Sequence, residues 1–319
     1  MARMLGLGAL VLTWCALGPA PASAQEFPSK PVFIVVGPGP DVMARLLGQK
    51  MSETWKQEVL VDLQPGGGGL VAMRTVSKAQ PDGHTMLLTT GSYTINEALR
   101  PNFPVSLIRD FAPVAEIGSL SFVIITNSSL PINSLADLVK IARERPGKLN
   151  CASSGVGTTA HLGCVALNHI AKVDIVHVPY KGVGPALVDV MAGRVELTFS
   201  VPTVTDQVKA GHVRALAVTG PKRLPGLPDV PTVAEAGFPG LEAVYSWNGL
   251  HVAAGTPKPV IAKINAEVAR IRTLPEIHER MVAFGFTPQG GDPDDFARFV
   301  QRDLAHWDQL VKDTGVKVE

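Results

Sequence analysis

Between Lys148 and Ala186 one pattern occurs twice in succession: an apolar run of strand length, a loop of small residues, then a helical periodicity. In the first copy the run ends at Cys151, and Ser153, Ser154, Gly155 and Gly157 make a loop poor in side chains. Thr158 or Thr159 can then cap a helix carrying Leu162, Val165, Ala166 and Ile170 on one face. In the second copy Ile175 to Val178 is the strand and Lys181-Gly182-Val183-Gly184 the loop, with Pro185 as a first helical residue before Ala186, Leu187, Val190 and Met191. The same unit stands near the start of the chain. There Val32 to Val36 is followed by Gly37-Pro38-Gly39-Pro40, then by Asp41 as a cap for a helix with Met43, Leu47, Met51 and Trp55 at four-residue spacing. Strands alternating with helices call for an α/β fold with a parallel sheet covered on both faces, which takes its ligands at the carboxyl ends of the strands. Helix N-termini that open onto glycine loops at that end offer free N–H donors, so the first expectation is a pocket for an anion.

The rest of the chain fits two such sheets. Val59 to Leu63 is a strand followed by Pro65 and the glycines Gly66 to Gly69, a run that suits either a close approach to the backbone or a surface turn. Thr85 to Thr89 is another strand, and it ends in Thr90-Gly91-Ser92, whose hydroxyls reach towards the same cleft. Short strands follow at Val114 to Ile117 and Phe122 to Thr126, and a new alternation begins beyond the second of them. That second strand is therefore read as a crossing into another domain, and Ser246 to Ala254 as the return strand. The pattern at Thr232 to Glu235 predicts one short helix. Helices opening at Thr256-Pro257 and Asp292-Pro293 pack back on the first domain. Two crossings make a hinge and a cleft between lobes. The expected division is residues 25–124 and 249–319 for one lobe and 125–248 for the other.

Composition narrows the function. A net charge of +1 argues against nucleic acid or an anionic membrane surface as partner, so any anion is caught locally. Residues 1–24 read as a signal peptide, with Arg3, the apolar stretch Leu5 to Leu17, and cleavage after Ala24 in Ala22-Ser23-Ala24. Bulky Trp14 before Cys15 speaks against a lipoprotein. Export leaves Cys151 and Cys164 as the two cysteines of the mature chain, for which a bridge and a pair of buried thiols are both open readings. There is no Gly-x-Ser-x-Gly elbow at these serines, no His-Glu-x-x-His and no clustered cysteine motif, so no catalytic residue, metal or cofactor is expected. His161 is read as a packed or rim histidine, Trp247 and Tyr180 chiefly as core, and Lys181 as either an anion contact or a solvated loop lysine.

Several ordered motifs resemble the solute-binding proteins of the tripartite tricarboxylate transporter family, the Bug-type receptors. They are Phe27-Pro28-Ser29-Lys30-Pro31, Asp41-Val42-Met43-Ala44-Arg45, Pro65-Gly66-Gly67-Gly68-Gly69, Pro81-Asp82-Gly83-His84-Thr85, Asp110-Phe111-Ala112-Pro113-Val114 and Thr158-Thr159-Ala160-His161-Leu162. Later come His177-Val178-Pro179-Tyr180-Lys181-Gly182, Leu216-Ala217-Val218-Thr219, Leu227-Pro228-Asp229-Val230-Pro231-Thr232-Val233 and Gly255-Thr256-Pro257. The resemblance spans essentially the whole mature chain. It implies a two-lobed periplasmic-binding-protein fold of type II, with two crossovers, closing on a small carboxylate that a membrane permease receives; the protein would be a periplasmic monomer and not an enzyme. Carried over residue by residue, it puts ligand contacts at Gly37, Pro38, Gly39 and Asp41, at Thr90 and Ser92, and at Ser154, Gly155, Thr158, Thr159 and Ser200. Some relatives have an aspartate at the position of Ser200, so its loss favours plain carboxylic acids over amino acids. The loop before Asp41 is a few residues shorter than the family pattern. A periplasmic sensor partner of a signalling receptor is the alternative function, and a secreted enzyme the more remote one.

Overall fold

Strand β1 (Val32–Val36) is buried at all but one position, as an apolar run covered on both faces must be, and it pairs in parallel with β2 (Val59–Leu63) and β3 (Thr85–Thr90). The computed structural model describes residues 26–37, 41–100 and 102–317. The expected signal peptide with Cys15, and Pro38, Gly39 and Pro40 of the first loop, lie outside the described residues. Helices α1 (Val42–Trp55) and α2 (Leu70–Ser77) make the crossovers between these strands, and α3 (Gly91–Leu99) and the single turn α4 (Leu107–Asp110) lead on to β4 (Phe111–Ser121).

Phe122 alone separates β4 from β5 (Val123–Asn127), with which the second sheet begins. That sheet is built by α5 (Leu135–Glu144), β6 (Leu149–Ser153), α6 (Thr159–Ala171), β7 (Ile175–Pro179), α7 (Val183–Met191), β8 (Leu197–Ser200), α8 (Thr205–Lys209) and β9 (Val213–Val218). The chain then returns through β10 (Tyr245–Ala253) and ends with α9 (Lys258–Arg272), α10 (Pro275–Ala283), β11 (Phe286–Pro288) and α11 (Pro293–Thr314). The first sheet has the order β11-β4-β10-β3-β1-β2 and the second β7-β6-β8-β5-β9.

Both sheets are mixed, where alternation alone predicts parallel ones. The strands beside the crossings are the reason: β10 runs antiparallel to β3 and β4, and β5 antiparallel to β8 and β9. Because β10 lies in the first sheet over its whole length, position 248, expected as the end of the second lobe, falls inside it. Trp247 is fully buried in the first lobe, edge-on against Phe296 and Phe299 of α11.

Several local signals act differently from their sequence reading. Asp41 precedes α1 but makes no side-chain cap; its carboxylate instead accepts from the Arg45 Nε at 2.7 Å. Its backbone, at φ −89° and ψ 4°, is not the extended form from which a cap reaches back. Pro185 is the third residue of α7, still within the turn whose N–H groups lack helical partners. Thr232 and Glu235 form both hydrogen bonds of a capping box, at 2.8 and 3.2 Å, yet only a turn follows. Cys151 and Cys164 are bridged, with Cα atoms 6.1 Å apart, so the open question about these thiols is resolved in favour of a disulfide.

A candidate anion site between the lobes

The lower wall of the site is the turn from β6 into α6. Ser153 closes the strand, Gly155 and Gly157 adopt positive φ, and Thr158 caps the helix by accepting from the His161 N–H at 3.4 Å. The Thr158 hydroxyl also donates to the Gly155 carbonyl at 2.7 Å, so it shapes the loop, while Thr159 is buried as the first helical residue. Under the loop the Ser153 Oγ lies 2.6 Å from His177 Nε2, and the Gly157 N–H donates to His161 Nδ1 at 3.2 Å. The two imidazoles lie against each other with centroids 4.1 Å apart. Burial, and then the neighbouring His177, pull the His161 pKa down to about 4, which keeps the ring neutral and Nδ1 free to accept.

The second unit lies beside the first, as β6 and β7 are parallel neighbours and the Tyr180 N–H donates to the Ser153 carbonyl at 2.9 Å. Gly182, at φ 125°, opens α7. Ser154 and Ser200, far apart in sequence, line one small recess between the starts of α6 and α7, together with Phe122, Ala160, Ala186, Leu187 and Phe199. Lys181 is exposed in the loop above, and the Tyr180 hydroxyl turns away to Asp189 at 2.7 Å.

The upper wall belongs to the first lobe. Thr90 caps α3 by accepting from the Ser92 N–H at 3.3 Å, which puts both residues at the carboxyl end of β3. Gly37, at the end of β1, sits against Tyr93 and Ala72, where a Cβ would meet the Tyr93 hydroxyl. Asp41 is half-buried and tied to Arg45, which leaves it a weaker candidate than its position in the motif implied. The side chain that joins the two walls is Asn96 of α3. Its Nδ2 donates to the Ser92 carbonyl at 2.7 Å and, across the lobes, to the Gly157 carbonyl at 2.9 Å. Gly68 in the glycine run and Gly157 in the lower loop both press on this amide: each has positive φ, and a Cβ at either would run into Asn96. Within the run of four glycines, Gly68 therefore serves close approach.

Of the expected residues, Thr90 and Ser92 stand on the upper wall, and Ser154, Gly155, Thr158, Thr159 and Ser200 on the lower. Sequence reasoning missed Asn96, and did not connect His161 to His177 although Cys151 pairs with His177 in the strand register, with Cys164 one turn beyond His161. Among the described residues no helix is long and apolar enough to cross a membrane, and no three His, Cys, Asp or Glu side chains are grouped to hold a metal. The arrangement offers backbone N–H groups and neutral hydroxyls, which suits holding an anion; Ser153, whose Oγ lies 2.6 Å from His177 Nε2, is fully buried.

Comparison with known proteins agrees with this geometry. The model of the TctC family, described as tripartite tricarboxylate transporter family receptor, matches residues 43–316. A UPF0065 protein encoded in the tcbD-tcbE intergenic region of Pseudomonas sp. strain P51 is 38% identical over 90% of this chain and 87% of its own. The solved structure of Rpa4515 from R. palustris with adipate is 34% identical, with a TM-score of 0.84 over 92% of this chain and 99% of that one. MatC from Rhodopseudomonas palustris with bound malate is 32% identical, with a TM-score of 0.80 over 89% of this chain and 100% of that one.

Proposed function

This chain belongs to the tripartite tricarboxylate transporter receptor family, and on that premise we propose that it captures a small carboxylate between its two lobes and delivers it to a tripartite membrane permease. The family consists of periplasmic solute-binding receptors of two-lobed α/β fold and not of enzymes. The observation that carries the proposal is the lower loop: Ser153 to Thr159 is held by His161 and His177 and, from the facing lobe, by Asn96, where it leads into the N-terminus of α6.

Energetics require both lobes. A carboxylate at one helix N-terminus gains at most about 2 kcal/mol when partly buried. A micromolar complex needs about 8 kcal/mol. The remainder comes from enclosure, which removes water and strengthens each N–H and hydroxyl bond to the ligand. The contacts we assign are Ser154, Gly155 and the first N–H groups of α6 and α7 in the lower lobe, with Ser92, Thr90 and the Gly37 loop in the upper. In the adipate and malate complexes the bound molecules are dicarboxylates, which supports the ligand class.

A thermal-shift screen of residues 25–319 against mono-, di- and tricarboxylates, amino acids and sugars tests this. Ligand at 100 times its Kd adds about 2.7 kcal/mol, so a carboxylate should raise the Tm by several degrees. A shift with sugars or amino acids and none with any carboxylate would overturn the assignment. Delivery to a permease is tested by carboxylate uptake in cells, which should be lost with the receptor gene and restored by its return.

A further inference from the structure

At the carboxyl end of β1, Gly37 has no room for a side chain, and the group that fills the space is the Tyr93 hydroxyl. Resting on the carboxylate-receptor reading, we propose that Tyr93 is a positioning residue of the anion site: its hydroxyl is the stop against which the end of β1 rests, and it sets how far the first-lobe ligand groups reach into the cleft.

The φ of Gly37 lies outside the left-handed region, so its backbone conformation is open to other residues. What excludes them is contact. A Cβ there would run into the Tyr93 hydroxyl, with Tyr93 Cζ at 3.3 Å and Ala72 Cβ at 3.2 Å beside it. The hydroxyl is fully buried and has no hydrogen-bond partner among the described residues. Burial, against the pull of the nearby Gly37 N–H, holds the phenol above its usual range, so it keeps its proton. A buried hydroxyl without a partner costs stability, and a phenylalanine would fill the same place without that cost. Packing alone therefore does not call for a tyrosine here. Its place in the fold supplies a reason. Tyr93 follows Ser92 in the first turn of α3 and shares a packed cluster with Ala72 of α2 and Val35 of β1. One side chain thus registers the carboxyl end of β1 against the helices that follow β2 and β3, the end of the sheet at which ligands are taken. Thr90 and Ser92, which stand at the start of the same helix, move with it.

A double-mutant cycle on the mature chain, read once by Tm without ligand and once by calorimetric titration with adipate and malate, tests the assignment. Gly37→Ala should lower the Tm by about 3 °C or more and weaken binding at least about tenfold, because its methyl group lifts the strand end off the stop. Tyr93→Phe should leave the Tm level or raise it, yet weaken binding about threefold or more. In the Tyr93→Phe background the alanine has room, and there it should cost no more than about twofold in affinity. Tyr93→Phe alone decides the matter if Gly37→Ala does not fold. If Tyr93→Phe binds as the native protein does, or if the alanine costs the same affinity in both backgrounds, Tyr93 only packs and the proposal is overturned while the receptor stands. Coupling in Tm with none in affinity overturns it too. A native chain that binds neither these acids nor any other carboxylate would sink the receptor reading, and the positioning role with it, whatever the Tm cycle shows.

Discussion

The side-chain amide of Asn96 donates to the main-chain carbonyl of Gly157 at 2.9 Å, tying a helix of the first lobe to the anion-facing loop of the second. The amide has no freedom to turn over, because the Arg100 guanidinium bonds its oxygen and the Ser92 carbonyl takes the same nitrogen at 2.7 Å. Leu162 of α6 packs nearby with Ile95, Ala98 and Leu99 of α3 and Trp307 of α11, so a small apolar cluster accompanies the polar bond.

Asn96→Asp should therefore weaken ligand binding. It exchanges a donor for an acceptor opposite a carbonyl, and a buried group left unsatisfied costs about 1–3 kcal/mol. An affinity loss of about tenfold is expected by calorimetry, with the far-UV spectrum unchanged. Unaltered affinity would show that the ligand-bound form does not use this bond.

The disulfide brackets the lower loop, since Cys151 precedes it and Cys164 follows it, 13 residues apart. Replacing both by serine should cost about 3 kcal/mol by the chain-entropy estimate for a loop of this size. Thermal denaturation should show a lower Tm, and titration a weaker complex, because the ligand loop gains freedom. A Tm equal to that of the native protein would mean that packing alone fixes this turn.

Glu116 gives stability a pH dependence. Burial pushes its carboxyl up to about 7 although Arg272 and Arg302 pull the other way. Between its ordinary value of 4.5 and about 7 the native protein holds a proton that the unfolded chain has released, so stability falls as pH rises through that window. Glu116→Gln should flatten the decline in Tm between about pH 5 and 8. An unchanged slope would assign the effect to another group.

His161 acts in the opposite sense. Its native pKa of about 4 lies below the ordinary 6.5, so the unfolded chain takes up the proton first and stability falls as pH drops through that range. Protonation also fills Nδ1 and breaks the bond from the Gly157 N–H, so ligand affinity should decline on the acid side as well. An NMR titration of the ring, run with and without ligand, should show a still lower pKa in the complex.

What could be read in the sequence was local. The Thr158 cap needs only three residues of spacing and is present, and the last helix opens at Asp292-Pro293 as the sequence signals. Asp41 shows the limit, because Arg45 one turn on competes for the carboxylate that was expected to cap. Helix α3 went unread because it begins directly after β3 with no loop to announce it, and its cap is the strand's own last residue, Thr90. Asn96 could not be read at all, since its partner Gly157 is 61 positions away. The same holds for the bridge, as spacing leaves the Cα separation undetermined.

The position of β10 in the order β11-β4-β10-β3-β1-β2 has a consequence for how the molecule is made. β4 and β3 touch only through it, so the first sheet stays in two pieces until residue 253 has been supplied, whereas all five strands of the second sheet are already in hand by residue 218. A chain threaded N-terminus first thus completes its inner lobe while the outer one is still waiting for its keystone. The half of the protein that begins first is finished last.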